Sequence, residues 1–265
     1  MNIVIRELNK IFAMLFVLCC LMTGCDEVSE SERYVYVKPA EVSRAVLIED
    51  FTGQRCINCP NAADEITRLQ EEYGEDKVIA VGIHGGALAV YSNAKVKGLR
   101  TALGDEYNNY WNVETWPTGM VDRQGQPVTH DHWSSLVRSE IEKTSPVTLS
   151  ASTWYDEATN SLFVDTDVFS SETKNCKLQV WLTEDGIVAP QQMPDGSMNQ
   201  EYIHNHVLRA AVNGTWGEDI SLKEGEHSTF RHSIILHEEW EVENLSFVVF
   251  VYDDNGVIQV SKTSK

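Results

Sequence analysis

Residues 45–73 carry the tightest local constraint in this chain. The apolar run Ala45-Val46-Leu47-Ile48 reads as a buried strand. It leads through Asp50-Phe51-Thr52-Gly53-Gln54-Arg55 into Cys56-Ile57-Asn58-Cys59-Pro60. Beyond that, Ala62, Ile66, Leu69 and Tyr73 recur at the spacing of one helix face. A Cys-x-x-Cys therefore stands where a strand turns into a helix, with Cys56 expected near the helix N-terminus. Unpaired N–H groups and the positive end of the helix dipole favour a thiolate there, and Arg55 adds a full positive charge beside it. A structural Cys56–Cys59 disulfide is the competing reading. Zinc fits poorly, because no second Cys-x-x-Cys or well-spaced histidine pair completes four ligands.

Gly74-Glu75-Asp76 is turn chemistry, and Lys77 to His84 reads as a buried strand of the parallel-sheet kind. Strand, helix and strand at this spacing make a right-handed βαβ unit whose strands end on one sheet edge, where open α/β sheets place their sites. His84 closes the second strand near Cys56; it serves the site or simply caps the strand and faces solvent. Within 87–110, Val96, Leu99, Leu103 and Tyr107 predict an inserted helix. The segment from Trp111 to Gly125 reads as a turn with Pro117 at its base, a short strand, and an Asp122-Arg123-Gln124-Gly125 hairpin turn. Trp133, Leu136, Val137 and Ile141 predict one more amphipathic helix.

Asn112-Val113, then Pro117-Thr118, a strand and a Gly-bearing turn resemble the cis-proline loop of thioredoxin-like proteins. Asp50, six residues before Cys56, holds the place of the buried aspartate in the same pattern. The inserted helix is similar to that of the membrane-anchored reductase and peroxiredoxin branches. The resemblance spans about 40–144. It departs in having Arg55 where Trp is usual and Ile57-Asn58 between the cysteines. It implies that Cys56 is the nucleophile, Cys59 the resolving thiol and Asp50 the proton relay, with cis Pro117 beside them. Thr115, Trp116, Arg55 and His84 would then meet a substrate strand. Alternation places Glu49 and Asp50 on opposite faces, so only one of them can serve as the relay.

The N-terminus bears on compartment. Arg6 and Lys10 precede an apolar run from Ile11 to Met22, too short to span a bilayer and suited to a signal peptide. It ends in Leu21-Met22-Thr23-Gly24-Cys25, which resembles a bacterial lipobox. That resemblance implies a signal peptide at 1–24, lipidation at Cys25 and an acidic tether at 25–33. Of six cysteines, Cys19 and Cys20 would leave with the signal peptide, while Cys176 alternates with Leu178 and Val180 as a buried free thiol. Tyr34 to Val37 is expected to form the first strand. A formal charge of −19 argues against a nucleic-acid partner.

Ser145-Pro146 is the expected boundary between two domains. Past it come short alternating runs: Val147–Trp154, Leu162–Phe169, Lys177–Leu182, 206–211, His232–Leu236 and Leu245–Tyr252. Without helices between them, these predict a β-sandwich at 146–265, with a long loop from Gln191 to Ile203 as a binding or disordered segment. The fold class is thus an α/β thioredoxin-like domain at 34–144 followed by an all-β, immunoglobulin-like sandwich. His130-x-His132 and His204-x-His206 are read as satisfied surface histidines rather than metal ligands, and no motif calls for a cofactor.

The runs 205–210 (NHVLRA) and 243–252 (ENLSFVVFVY), together with 50–61 (DFTGQRCINCPN), resemble the outer-membrane-protein-28 family. These are lipoproteins of Bacteroidetes-type bacteria described as surface adhesins. The resemblance implies an outer-membrane location through a lipid anchor, on the periplasmic or the surface side. Two functions follow. One is thiol–disulfide exchange with protein substrates through Cys56 and Cys59; the other is binding of a surface ligand, with the disulfide only structural. Replacing Cys25 with Ala should release a soluble exported form or leave unprocessed precursor, read by fractionation and mass. A normally processed, membrane-bound variant would overturn the lipobox reading.

Overall fold

The computed structural model describes residues 40–263. The expected signal peptide, Cys25, the tether and the strand at Tyr34–Val37 lie outside the described residues. The first segment runs β1 (Val42–Ser43), β2 (Val46–Thr52), α1 (Cys59–Tyr73), β3 (Val78–His84), α2 (Ala102–Tyr110), β4 (Thr118–Val121), α3 (Trp133–Ile141) and β5 (Thr144–Ser145). β2 and β3 pair in parallel from Val46 opposite Val78 to Thr52 opposite His84. β4 lies antiparallel on the other side of β2, with Phe51 opposite Thr118. The expected helix within 87–110 is confined to α2, where the Thr101 hydroxyl accepts from Gly104 N–H as N-cap. The stretch before it is irregular, with Gly98 packed so closely onto the Val90–Ser92 backbone that a Cβ there would clash.

The second segment is all strand: β6 (Val147–Asp156), β7 (Ser161–Ser170), β8 (Lys174–Glu184), β9 (Ile187–Gln192), β10 (Met198–His204), β11 (Val207–Ala211), β12 (Glu218–Leu222), β13 (His227–Ile235), β14 (Leu245–Asp253) and β15 (Gly256–Lys262). β13, β7 and β6 form a three-stranded antiparallel sheet. The segment expected as a long loop from Gln191 to Ile203 is instead most of the β9–β10 hairpin. Among the described residues, no helix is long and apolar enough to cross a membrane.

The two segments do not keep separate cores. One eight-stranded sheet has the order β15-β14-β8-β11-β3-β2-β4, with β12 also on β8, so its strands come from both sides of Pro146. The junction is β11, antiparallel to β8 and parallel to β3 through Val207 opposite Gly82. The sheet also curls until its ends meet. Val257 N–H on β15 donates to the Asp122 carbonyl after β4 at 2.9 Å, and Ala45 N–H donates to Gln259 Oε1 at 2.9 Å.

Strand periodicity sorts the core by face. On the inner side of the curl, Leu47, Phe51, Ile83 and Met120 from the first segment pack with Trp181, Val248 and Phe250 from the second. On the outer side, Val46, Ile48, Val78 and Ala80 receive α1 and α3 through Ile66, Leu69, Trp133 and Val137. The outer side of β8 and β14 is covered by the three-stranded sheet, where Leu178, Val180 and Val249 meet Val164 and Val168. A sandwich is present, but one of its sheets continues into the α/β half. The inner core therefore belongs to both segments. Phe250→Ala should cost about 3–5 kcal/mol and accelerate native-state amide exchange in β2 as well as in β14. Unchanged protection in β2 would show two separate cores.

Candidate functional site

β2 delivers the site. It is buried along its whole length, including the adjacent carboxylates Glu49 and Asp50. Glu49 points inward and pairs with Arg123 at 3.1 Å. Asp50 points outward, toward α1. Past Thr52 the chain turns at Gly53, where a Cβ would strike the Leu88–Ala89 backbone at 2.6–2.7 Å, so only glycine allows that close approach. Arg55 N–H donates to the Leu88 carbonyl at 2.9 Å, and Cys56 N–H to the Gly53 carbonyl at 3.0 Å.

Cys56 and Cys59 are disulfide-bonded, with Cα atoms 5.4 Å apart. α1 begins at Cys59, with Asn58 as its N-cap residue and Pro60 in its first turn. Cys59, rather than Cys56, thus sits on the helix N-terminus, and Cys56 lies in the turn before it. Both cysteines are buried, at 2% and 4% exposure, while Arg55 is exposed. The cover over them comes from the second segment. Gln191 Nε2 on β9 donates to the Cys56 carbonyl at 2.9 Å, and Gln192 N–H donates to the Gln54 carbonyl at 2.8 Å. Gln54 returns the contact, its Nε2 donating to the Pro190 carbonyl at 3.0 Å while its Oε1 accepts from Leu99 N–H at 2.8 Å. The hairpin is clamped onto the disulfide.

Behind Cys59 lies a cavity of about 140 Å³ shared by Asp50, His84, Tyr202, His204 and Asp64. Asp50 Oδ1, His84 Nδ1 and His204 Nε2 are buried without a hydrogen-bond partner. Such groups are costly unless water or a reaction partner satisfies them, and a polar cavity of this kind has room for water. Burial pushes the Asp50 carboxyl up to about 8, so it is protonated at neutral pH. His84 is driven down to about 3 by burial and then by the neighbouring His204, whose ring centroid is 5.6 Å away. Burial lowers His204 to about 4 against the opposing effect of backbone hydrogen bonds to Ala189 and Pro190. Both rings are neutral.

The Trp116–Pro117 peptide bond is cis. Pro117 is buried immediately before Thr118, whose register partner is Phe51, so it stands at the sheet edge from which the cysteine turn leaves. Thr115 is exposed; Trp116 is half-buried against Gly86, whose φ is +72°. His84 is no solvent-facing cap but a buried wall of the cavity. The sequence reading missed Gln191, Tyr202 and His204, because nothing local links β9 and β10 to a turn about 135 residues earlier, a closure set by tertiary packing. Among the described residues, no group of three or more His, Cys, Asp or Glu side chains is placed to hold a metal.

A model of the family described as outer membrane protein Omp28 matches residues 104–264, more than half of the chain. The match begins beyond Cys56 and Cys59 and includes Pro117 and the covering hairpin. No curated protein matches the sequence. Among solved structures, HBP35 of Porphyromonas gingivalis has a TM-score of 0.65 over 84% of this chain and 76% of its own, at 15% identity. That is a likeness of fold alone. A domain of the outer membrane lipoprotein Omp28 from Porphyromonas gingivalis is 24% identical over 46% of this chain and 92% of that domain. Its TM-score of 0.32 carries no structural argument.

The raised carboxyl has a consequence for stability. From the unfolded value near 3.8 up to about 8, the folded chain holds a proton on Asp50 that the unfolded chain has lost. Its contribution is therefore complete at low pH and is lost as pH rises through that window. Asp50→Asn should flatten the decline, so that the variant gains on the parent in denaturant midpoint between pH 5 and 9. Parallel curves would show that Asp50 is ionised in the folded state.

Proposed function

This chain belongs to the outer membrane protein Omp28 family, and from that premise we propose a lipid-anchored envelope protein, held at Cys25, that exchanges thiols and disulfides through a thioredoxin-like N-terminal segment. The observation that carries the proposal is Asp50, a protonated and unpartnered carboxyl buried in the same cavity as Cys59. A disulfide that only braces the fold gains nothing from such a neighbour, which costs stability at neutral pH. Exchange needs it.

In the oxidised protein, a partner thiolate attacks Cys56 Sγ and forms a mixed disulfide. The Cys56–Cys59 bond breaks, and Cys59 leaves with its electron pair and takes the proton held on Asp50. A second partner thiol displaces Cys56, so the partner is oxidised by two electrons and the protein reduced. In the reverse direction Cys56 attacks a partner disulfide, Cys59 resolves the mixed disulfide, and Asp50 accepts the Cys59 proton. Arg55 and the Thr115-Trp116-Pro117 edge would receive the partner strand, and His84 would wall the proton's cavity. No cofactor is needed.

Burial of Cys56 supports the second reading, a surface-binding lipoprotein with a structural disulfide, unless the β9–β10 hairpin yields. Cys59→Ser should trap partner proteins through Cys56, whereas Cys56→Ser should trap few. Gln191→Ala should speed reduction of the disulfide by a small thiol by removing one clamp. If both cysteines alkylate as ordinary thiols across pH and trap nothing, the binding reading replaces exchange.

A further inference from the structure

At the mouth of the curled sheet lies a second, larger cavity of about 670 Å³, within the range of about 300–1,000 Å³ common to small-molecule sites. Neither Cys56 nor Cys59 lines it, although the buried Cys176 does. One wall is aromatic: Tyr110 at the end of α2, Trp111 after it, Trp216 before β12, and Tyr252 on β14. Tyr110 is 62% exposed, and its ring centroid lies 4.1 Å from that of Trp216. These rings are held from behind. Tyr252 hydroxyl donates to the Trp216 carbonyl at 2.7 Å, and Tyr107 packs edge-on against Trp216 at 5.0 Å. The floor is the Arg123 guanidinium, whose Nε and Nη2 donate to Glu49. The opposite rim is polar, with Asn175, Asp219, Ser221 and Asp254.

The chemistry of this wall and rim narrows the ligand. Tyr110 and Trp111 meet at 90°, Trp111 and Trp216 at 74° and Tyr110 and Trp216 at 46°, so no two of these rings are parallel and they do not make a slot for a flat aromatic. A polyanion would meet Asp219, Asp253 and Asp254 at the rim. A cation gains little, because the rim carboxylates are already answered: Lys177 pairs with Asp219 at 2.8 Å and Lys174 with Asp253 at 3.1 Å. A purely apolar ligand would strip water from the rim without replacing its hydrogen bonds. What remains is a neutral, polyhydroxylated ring with one apolar face to lay on the aromatics and hydroxyls for the rim. The geometry points to a saccharide site at this mouth, built jointly by α2 and the β8–β12–β14 strands. This site stands whether or not the cysteines exchange.

The test uses the full chain, titrated with neutral mono- to tetrasaccharides of glucose, mannose, galactose, xylose and N-acetylglucosamine. Tryptophan fluorescence and saturation-transfer NMR follow binding. At least one sugar should give a saturable change, since Trp111 and Trp216 line the cavity. Tyr110→Ala should weaken it about tenfold, the loss expected for one exposed aromatic anchor. Trp154→Ala, an exposed ring on β6 remote in the fold from this wall, should leave affinity unchanged. Ser221→Ala, exposed on β12, supplies a second rim probe that leaves the core untouched, and it should also weaken binding. The assignment fails if no sugar in the panel binds, if Tyr110→Ala and Ser221→Ala bind as tightly as the parent, or if only indole or sulfated oligosaccharides compete for the site.

Discussion

Two adjacent buried carboxylates on one central strand set the terms for the rest of this structure. Removing an ionised carboxylate from water costs several kcal/mol unless it is paired, or else the group takes up a proton. Glu49 and Asp50 take these two different routes on opposite faces of β2. Glu49 meets Arg123, for which burial opposes the charge but the Glu49 charge and hydrogen bonds outweigh it, holding the guanidinium above its ordinary pKa. Asp50 has no cation and stays protonated. Each solution demands its own surroundings.

The inward solution accounts for how the sheet closes. Arg123 meets Glu49 from the turn after β4, where Asp122 and Arg123 both adopt positive φ, at 50° and 56°. That turn then meets β15. Gly256, at φ +109°, lets the β14–β15 connection approach so closely that a Cβ would sit 2.4 Å from the Asp122 carbonyl. The Asp122 side chain accepts from Leu47 N–H at 2.8 Å and pairs with Arg44 at 2.9 Å. Arg44 also donates to the Val257 carbonyl. Residues from both ends of the chain satisfy one another's buried charge, so the curl and the aromatic mouth above Arg123 form as one unit.

Local pattern made much of this legible. The β2–α1–β3 unit, the strand at Thr118, α3 and most strands past residue 146 all follow from periodicities that one segment carries by itself. The cis bond before Pro117 agrees with what the resemblance implied. What the sequence hid was the junction. Alternation in β8 and β14 says that both faces are covered, but not that one cover is the first segment's own sheet. β11 joins β3 through a single register pair, too little to leave a pattern. The β9–β10 hairpin was hidden for a related reason. Pro190, Pro194 and Gly196 read as loop chemistry, and its strands pair only with each other. His204 and Gln191 acquire meaning only once that hairpin is folded across the disulfide.

That cover explains why the outward carboxylate is protonated and what chemistry it permits. With the hairpin closed, a Cys59 thiolate would appear in a cavity where His84 and His204 are both neutral and where the Asp50 carboxyl would repel it if ionised. No Lys or Arg lines the cavity, so a bare thiolate there has only the N-terminus of α1 to offset its desolvation penalty. In the proposed exchange a proton delivered from Asp50 as the sulfur leaves would avoid that penalty, but it would transfer the charge to a carboxylate that is itself buried. The charge must then be rehydrated. The orphaned nitrogens of His84 and His204 face the same cavity, and His204 rides on the hairpin, so opening the cover would admit water and expose Cys56 in one movement. Cys56 differs in lying next to the exposed Arg55, so a thiolate uncovered there by an opened hairpin would have a cation beside it. The two sulfurs are chemically unequal before any partner arrives, and the inequality comes from a hairpin supplied by the other half of the chain.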